Sequence, residues 1–329
     1  MSGLILQRPR AATALGFIFV ALAAATWATD GLFRRGLALQ LPAGTVVMVE
    51  HVILVLITSP LLIRAVPITR SFTSRDWISL VTIGVGASAI ATVLFTQAFE
   101  HGDPNTPLLL QKLQPLFAIA GATLLLGERI LPRFGIYLVC ALAGAYLITF
   151  PEPSNVSVSA FIPAALSLGA AGLWGFGTVL GRHLARKVEF ASLTALRFAV
   201  GLPATVAIVF LQDRGAAVPT IDGRDVLALL LLALIPGLLG LLLYYRGLRE
   251  TPASAASLAE LTFPISAITI NHLAFGTSLE ASQWMGVLVL SGTILVMGLA
   301  STRGTRAVGI ELPASAPRPV PKPLLDPDG

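Results

Sequence analysis

The sequence predicts an all-α membrane protein with ten transmembrane helices, arranged as two inverted five-helix repeats with both termini cytoplasmic. Three observations carry this: an apolar composition poor in charge, ten apolar runs of spanning length, and an ordered series of matches between the two halves. The 329 residues are 55% hydrophobic and 12% charged, with a mean hydropathy of +0.82. A water-soluble domain carries about 25% charged residues. Half that fraction cannot coat a globule of this size in water, so the surplus apolar surface faces lipid.

The runs lie at about 12–33, 44–63, 77–99, 107–126, 132–150, 159–180, 190–211, 225–246, 253–274 and 283–301. About 20 apolar residues cross a hydrocarbon core of roughly 30 Å. The runs are apolar nearly all round, unlike the striped helices of a soluble bundle. No alternating pattern suggests a membrane barrel. Arg8 and Arg10 followed by an apolar stretch imitate a secretion signal, but the stretch continues to Trp27 and nine more runs follow, so it reads as a retained first helix.

Lys and Arg concentrate on cytoplasmic segments of membrane proteins. With the N-terminus inside, the inner breaks and tail hold sixteen of the 22 basic residues and the outer breaks hold Arg34, Arg35, Arg214 and Arg224. Lys112 and Arg197 fall inside spans. The divisions are a cytoplasmic N-terminus 1–11, a first repeat 12–150, a linker 151–158, a second repeat 159–301 and a Pro-rich tail 302–329 expected to be disordered.

Trp27 followed by Arg35-Gly-Leu-Ala matches Trp174 followed by Arg182-His-Leu-Ala at an offset of 147. Arg75-Asp76 matches Arg224-Asp225, Pro115 matches Pro264 and Gly127 matches Gly276, all at 149. An odd number of spans per unit places the second copy upside down relative to the first. Such a pair favours alternating access to one central site.

These stretches resemble the EamA-type members of the drug/metabolite transporter superfamily over about residues 12–301. The carrying residues are Leu113-Gln114-Pro115-Leu116 through Leu126-Gly127-Glu128-Arg129, Gly135 and Gly144, then Trp174-Gly175, Arg197-Phe198 and Leu261-Thr262-Phe263-Pro264. Two departures stand out: Glu50 replaces the family's arginine in the second span, and Thr277 occupies the counterpart of Glu128. The resemblance implies export of amino acids and related metabolites, nearest to the aromatic and neutral amino-acid exporters.

Ionisable groups inside spans are costly and need a partner or a water-filled cavity. Four stand out: Glu50, Lys112, Arg197 and Glu260. At 1.5 Å per residue, Glu50 and Lys112 lie roughly 9 Å below the outer face, and Arg197 and Glu260 lie near the inner face. Two ion pairs are expected, Glu50–Lys112 and Arg197–Glu260, which either fix helix register or act as alternating gates; Glu50 or Glu260 acting as a proton carrier stays open beside them. Pro115 and Pro264 interrupt corresponding spans and remove a backbone donor each, which is expected to free the carbonyls of Gln111 and Glu260. Paired breaks of this kind mark transporter binding sites, with Gln111, Gln114 and Glu260 as polar contacts. Trp27 and Trp174 read as site aromatics. Tyr244 and Tyr245 read either as site residues or as interfacial anchors.

Gly177 and Gly181 are spaced for close helix packing. No Walker motif is present, and neither a cofactor nor a metal is expected: His51, His101, His183 and His272 have no ligand spacing, and the single Cys140 excludes a disulfide. Basic residues are not interleaved with aromatics, which argues against nucleic acid. The expected partners are the bilayer and a small solute, with the chain a monomer or weak dimer. Two alternatives remain, efflux of drugs or cationic metabolites and, more remotely, an intramembrane lipid-processing enzyme resting on His101 and Asp103.

Overall fold

The computed structural model describes residues 9–38, 40–100, 110–111, 113–150, 152, 154, 161–212, 222–275 and 279–313. Nearly all of them are helical. The helices are α1 (Pro9–Trp27), α2 (Asp30–Ala38), α3 (Ala43–Thr69), α4 (Ser74–Val81), α5 (Ala91–Glu100), α6 (Gln114–Leu126), α7 (Pro132–Thr149) and α8 (Phe161–Ala185). The second half adds α9 (Phe190–Gln212), α10 (Gly223–Leu232), α11 (Gly240–Leu248), α12 (Ala253–Ala259), α13 (Thr262–Phe275), α14 (Ala281–Ser301) and the short α15 (Thr305–Val308).

By length and apolarity, nine helical stretches among the described residues can cross a membrane, and α6 is a shorter apolar helix. The expected span 107–126 therefore appears only in its second part, because residues 101–109 and 112 lie outside the described residues. Large apolar side chains point outward, Phe161 at 85% exposure and Leu124 at 80% among them. That is the surface lipid would cover.

Two wide-turn segments interrupt otherwise α-helical spans. Thr82–Ile90 joins α4 to α5, and Ala233–Leu239 joins α10 to α11, both as π-helix. They stand at corresponding positions of the two halves. Such segments are rare and cluster at functional sites. The second carries Pro236, which cannot donate to the preceding turn.

Packing pairs one half with the other. α3 lies along α9, α7 along α14, α1 along α11, and α8 along α5 and the first π segment; α6 meets both α8 and α12. Without a hydrophobic drive between helices in lipid, close approach of small residues holds such pairs. A methyl group at Gly286 would sit 2.7 Å from the Ile148 amide nitrogen, so α14 and α7 touch backbone to backbone there. The expected packing at Gly177 is seen as well, against the Ala87 methyl.

The tail does not follow its expectation over its first dozen residues. α15 and a strand β2 (Ile310–Glu311) fold back, and β2 pairs antiparallel with β1 (Arg129–Ile130). Gly304 and Gly309 adopt positive φ, a turn geometry that glycine permits. Val308 and Ile310 are buried in the main core with Phe134. Proline content had suggested disorder, but the prolines begin only at Pro313, after these apolar residues. Residues 314–329 lie outside the described residues.

Candidate functional site

A cavity of about 430 Å³ runs from the C-terminal end of α1 and the N-terminal turns of α3 toward the middle of the bundle. It falls in the range of small-molecule sites, roughly 300–1,000 Å³. Both π segments contribute to its wall through Ala87, Ser88, Pro236 and Gly237. Thr92, Phe95 and Thr96 from α5 complete that side.

The two proline breaks meet at its deep end. Glu260 is the link between α12 and α13, and Gln114 is the first residue of α6, with Pro115 next in the first turn where its missing N–H costs nothing. Gln114, Pro115, Glu260 and Pro264 all line the cavity, and so does Gln111. One detail differs from expectation. The Glu260 carbonyl is not released, because the Phe263 N–H donates to it at 3.0 Å in a tight turn. The side chain, rather than the backbone, is what the break presents.

That carboxylate sits in a neutral donor set. Gln114 Nε2 donates to Glu260 Oε2 at 2.6 Å, while Thr178 Oγ1 and the Tyr244 hydroxyl each stand 3.1 Å from Oε1. The Tyr244 hydroxyl also lies 2.8 Å from Thr178 Oγ1, so the three form one cluster. The expected pairing of Glu260 with Arg197 is absent. Arg197 instead donates to Ser88 Oγ at 2.6 Å and to the Tyr245 hydroxyl at 2.9 Å. Its guanidinium also lies over the Tyr245 ring. The π segment turns Ser88 toward Arg197, a displacement that ideal helical spacing does not anticipate.

Glu50 has a different partner too. Arg34 Nη2 lies 3.2 Å from Glu50 Oε2 and bonds Asp30 through both carboxylate oxygens at 2.6 and 2.7 Å. The expected partner, Lys112, lies outside the described residues. Arg34 reads as loop charge in the sequence because the first apolar run ends at 33. α2 continues past a turn at Ala28–Thr29 and brings Asp30 and Arg34, one helical turn apart, onto the cavity rim.

Aromatic rings form the walls. Trp27 packs on Tyr244 with centroids 5.1 Å apart, and Trp174 packs on Phe95 at 5.2 Å. The Trp174 indole N–H donates to the Ala87 carbonyl at 3.0 Å, which fixes its ring plane. Both tryptophans line the cavity. Tyr244 and Tyr245 are buried, so the interfacial-anchor reading fails for both. Tyr244 lines the cavity, whereas Tyr245 acts behind it by holding Arg197. Sequence reasoning missed Asp30, Arg34, Ser88, Phe95 and Thr178. A polar or ring residue inside an apolar span was the available signal. No group of three His, Cys, Asp or Glu among the described residues could hold a metal, and His101 and Asp103 lie outside them.

The profile of the EamA-like transporter family matches residues 14–150 and again 161–299. The chain belongs to this family. It is thereby a multi-pass inner-membrane transporter rather than an enzyme. "Riboflavin transporter ImpX" of Fusobacterium nucleatum is 31% identical over 85% of this chain and 96% of its own length. A "Riboflavin transporter" of Brucella anthropi is 24% identical over 78% and 88% respectively. An inner membrane transporter of Salmonella typhimurium, YicL, is 24% identical over 71% and 77%. A solved crystal structure, 19% identical, superposes with a TM-score of 0.72 over 89% of this chain and 99% of its own, which supports the fold. None of these relatives carries an amino-acid exporter's name, the cargo implied by resemblance.

Proposed function

We propose that this EamA-family chain is a secondary transporter that carries a flat, neutral aromatic solute, with riboflavin as the first candidate, through the cavity by alternating access. The observation that carries the reading is the cavity itself. Two aromatic pairs flank a hydrogen-bonding floor of Gln114, Glu260, Thr178 and Tyr244, and both arginines in the wall are already engaged. Rings stack on rings, and a few convergent polar groups set orientation. The relatives named riboflavin transporters point the same way.

Ten spans as two inverted repeats, with cytoplasmic termini, form the frame of this proposal. The exchange of partners between halves supports it, since α1 packs on α11 as α8 packs on α5 and the first π segment. An amino-acid cargo fits less well. Its carboxylate wants a cation, yet Arg34 is bound by Asp30 and Glu50 and Arg197 by Ser88 and Tyr245. Cation efflux has one observation in its favour, the three carboxylates Asp30, Glu50 and Glu260 against two arginines around the cavity.

The test is counterflow in proteoliposomes with labelled riboflavin, aromatic amino acids, nucleosides and a cationic dye. Riboflavin exchange is expected. Exchange of an amino acid or the dye with no riboflavin exchange overturns the reading. Trp27→Ala and Trp174→Ala should each weaken riboflavin binding about 3- to 10-fold, the worth of one aromatic stack.

A further inference from the structure

The floor of the cavity places a hydrogen-bond donor and an acceptor side by side. Glu260 Oε1 is occupied by Thr178 and Tyr244, while among the described residues the Gln114 amide is the partner of Oε2. An amide nitrogen carries two hydrogens and a carboxylate oxygen two lone pairs. With Nε2 and Oε2 2.6 Å apart, the second N–H and the second lone pair form an adjacent donor–acceptor edge. Both side chains line the cavity.

That spacing fits a carbonyl next to an N–H on one ring, the edge of a cyclic imide. We propose that Gln114 and Glu260 read the imide edge of a flavin ring, the Gln114 amide donating to a ring carbonyl and Glu260 Oε2 accepting the imide N–H. The assignment rests on the riboflavin reading above. The aromatic pairs are placed for it. Tyr244 hydrogen-bonds Glu260 and packs at a tilt on Trp27, while Trp174 lies one helical turn before Thr178 and packs edge-on against Phe95. A ring whose imide edge meets the floor lies between these pairs. Its polyol side chain then extends toward Asp30 and Arg34 at the rim, which offer acceptors and donors to hydroxyls.

Each partner has an independent reason to be where it is. Pro115 starts α6 immediately after Gln114, and the turn ahead of Pro264 sets Glu260 between two helices. A register device would satisfy Glu260 with a cation, whereas every donor to it among the described residues is neutral. A neutral donor set leaves the carboxylate available to a second N–H. Sites built to hydrogen-bond a substrate reject analogues lacking the group, because the buried polar atoms are then left unpaired.

The experiment compares riboflavin with its N3-methyl derivative, read by quenching of flavin fluorescence on the purified protein. Methylation removes the imide proton and leaves ring stacking in place. In the unaltered protein the methylated flavin should bind roughly 10- to 100-fold more weakly, the range of a hydrogen bond to a charged group. In Gln114→Leu and Glu260→Gln the gap between the two flavins should shrink at least fivefold. Trp27→Phe should weaken both and leave their ratio unchanged. Equal binding of both flavins to the unaltered protein overturns the imide assignment but leaves riboflavin transport standing. A gap that persists in both variants also overturns it. Failure of riboflavin itself to bind sinks the functional reading first, so the two failures are distinguishable.

Discussion

The two ends of the bundle hold themselves together differently. At the end where β1 pairs with β2, long-range polar contacts tie four separate helices. Glu128, 1% exposed, accepts from the Ala253 and Ser254 backbone N–H groups at 2.9 and 3.2 Å and from the Ser254 hydroxyl at 2.8 Å. Those amides open α12, and the buried Arg182 approaches the same carboxylate at 3.6 Å. Asp76 joins α4 to α8 by accepting from His183 and Lys187 at 2.7 and 2.6 Å. At the opposite end the polar contacts are mostly local. Asp30 and Arg34 are one turn apart on α2, and the long-range contacts among the described residues there include Arg34 with Glu50 of α3 and Gln283 of α14 donating to the Ile148 carbonyl at 3.0 Å.

The contrast is sharpest at one repeat-related pair. Thr73 and Asp76 form a capping box at the start of α4, and Asp222 and Asp225 form one at the start of α10. The Asp225 and Arg224 amides hold the exposed Asp222 carboxyl below its ordinary range. The first box also holds His183 of α8 and Lys187 just beyond it; among the described residues the hydrogen bonds of the second box lie within its own helix start. The cavity shares this asymmetry, since Asp30, Arg34 and Glu50 of its lining lie with the local contacts, whereas Glu128 and Asp76 are not part of its wall. A transporter that alternates must break the ties at one end and make others at the opposite end.

Removing Glu128 should have the largest effect. Glu128→Ala strands a buried arginine and two helix-start amides, and breaking a buried pair costs about 3–5 kcal/mol. Thermal unfolding in detergent measures it, and a loss below about 1 kcal/mol would remove the contrast between the ends. Asp76→Ala should follow, at about 1.5–3 kcal/mol for its charge-assisted hydrogen bonds. Asp225→Ala, which loses a cap alone, should cost about 1 kcal/mol. Equal losses at these two positions would mean that His183 and Lys187 contribute nothing. Arg34→Gln should be smallest, at about 0–1 kcal/mol, as expected for partly exposed pairs. An effect as large as that of Glu128→Ala would make the rim a second structural clamp.

Much of this was legible before any coordinates. Apolar run length and charge scarcity dictate membrane helices, because only helices and closed barrels satisfy every backbone hydrogen bond in lipid and the alternating pattern of a barrel is lacking. Pro115 and Pro264 mark breaks because proline cannot continue a hydrogen-bonded turn. Gln111, Gln114, Trp27, Trp174, Tyr244 and Glu260 all line the cavity. The partners of the charges were not legible. Glu260 turned to Gln114, Thr178 and Tyr244, Arg197 to Ser88 and Tyr245, and Glu50 to Arg34.

Depth along a helix can be counted from sequence, but azimuth and neighbour cannot. The π segments shift the face that each following residue presents, and the short α2 lifts Arg34 out of what reads as loop and sets it beside Asp30. Composition and spacing therefore determined that this chain crosses the membrane, where its helices break and which polar residues are too costly to be idle. Only tertiary packing decided which of those residues meet, because hydrogen bonds within about 3 Å depend on helix rotation that no count along the chain contains.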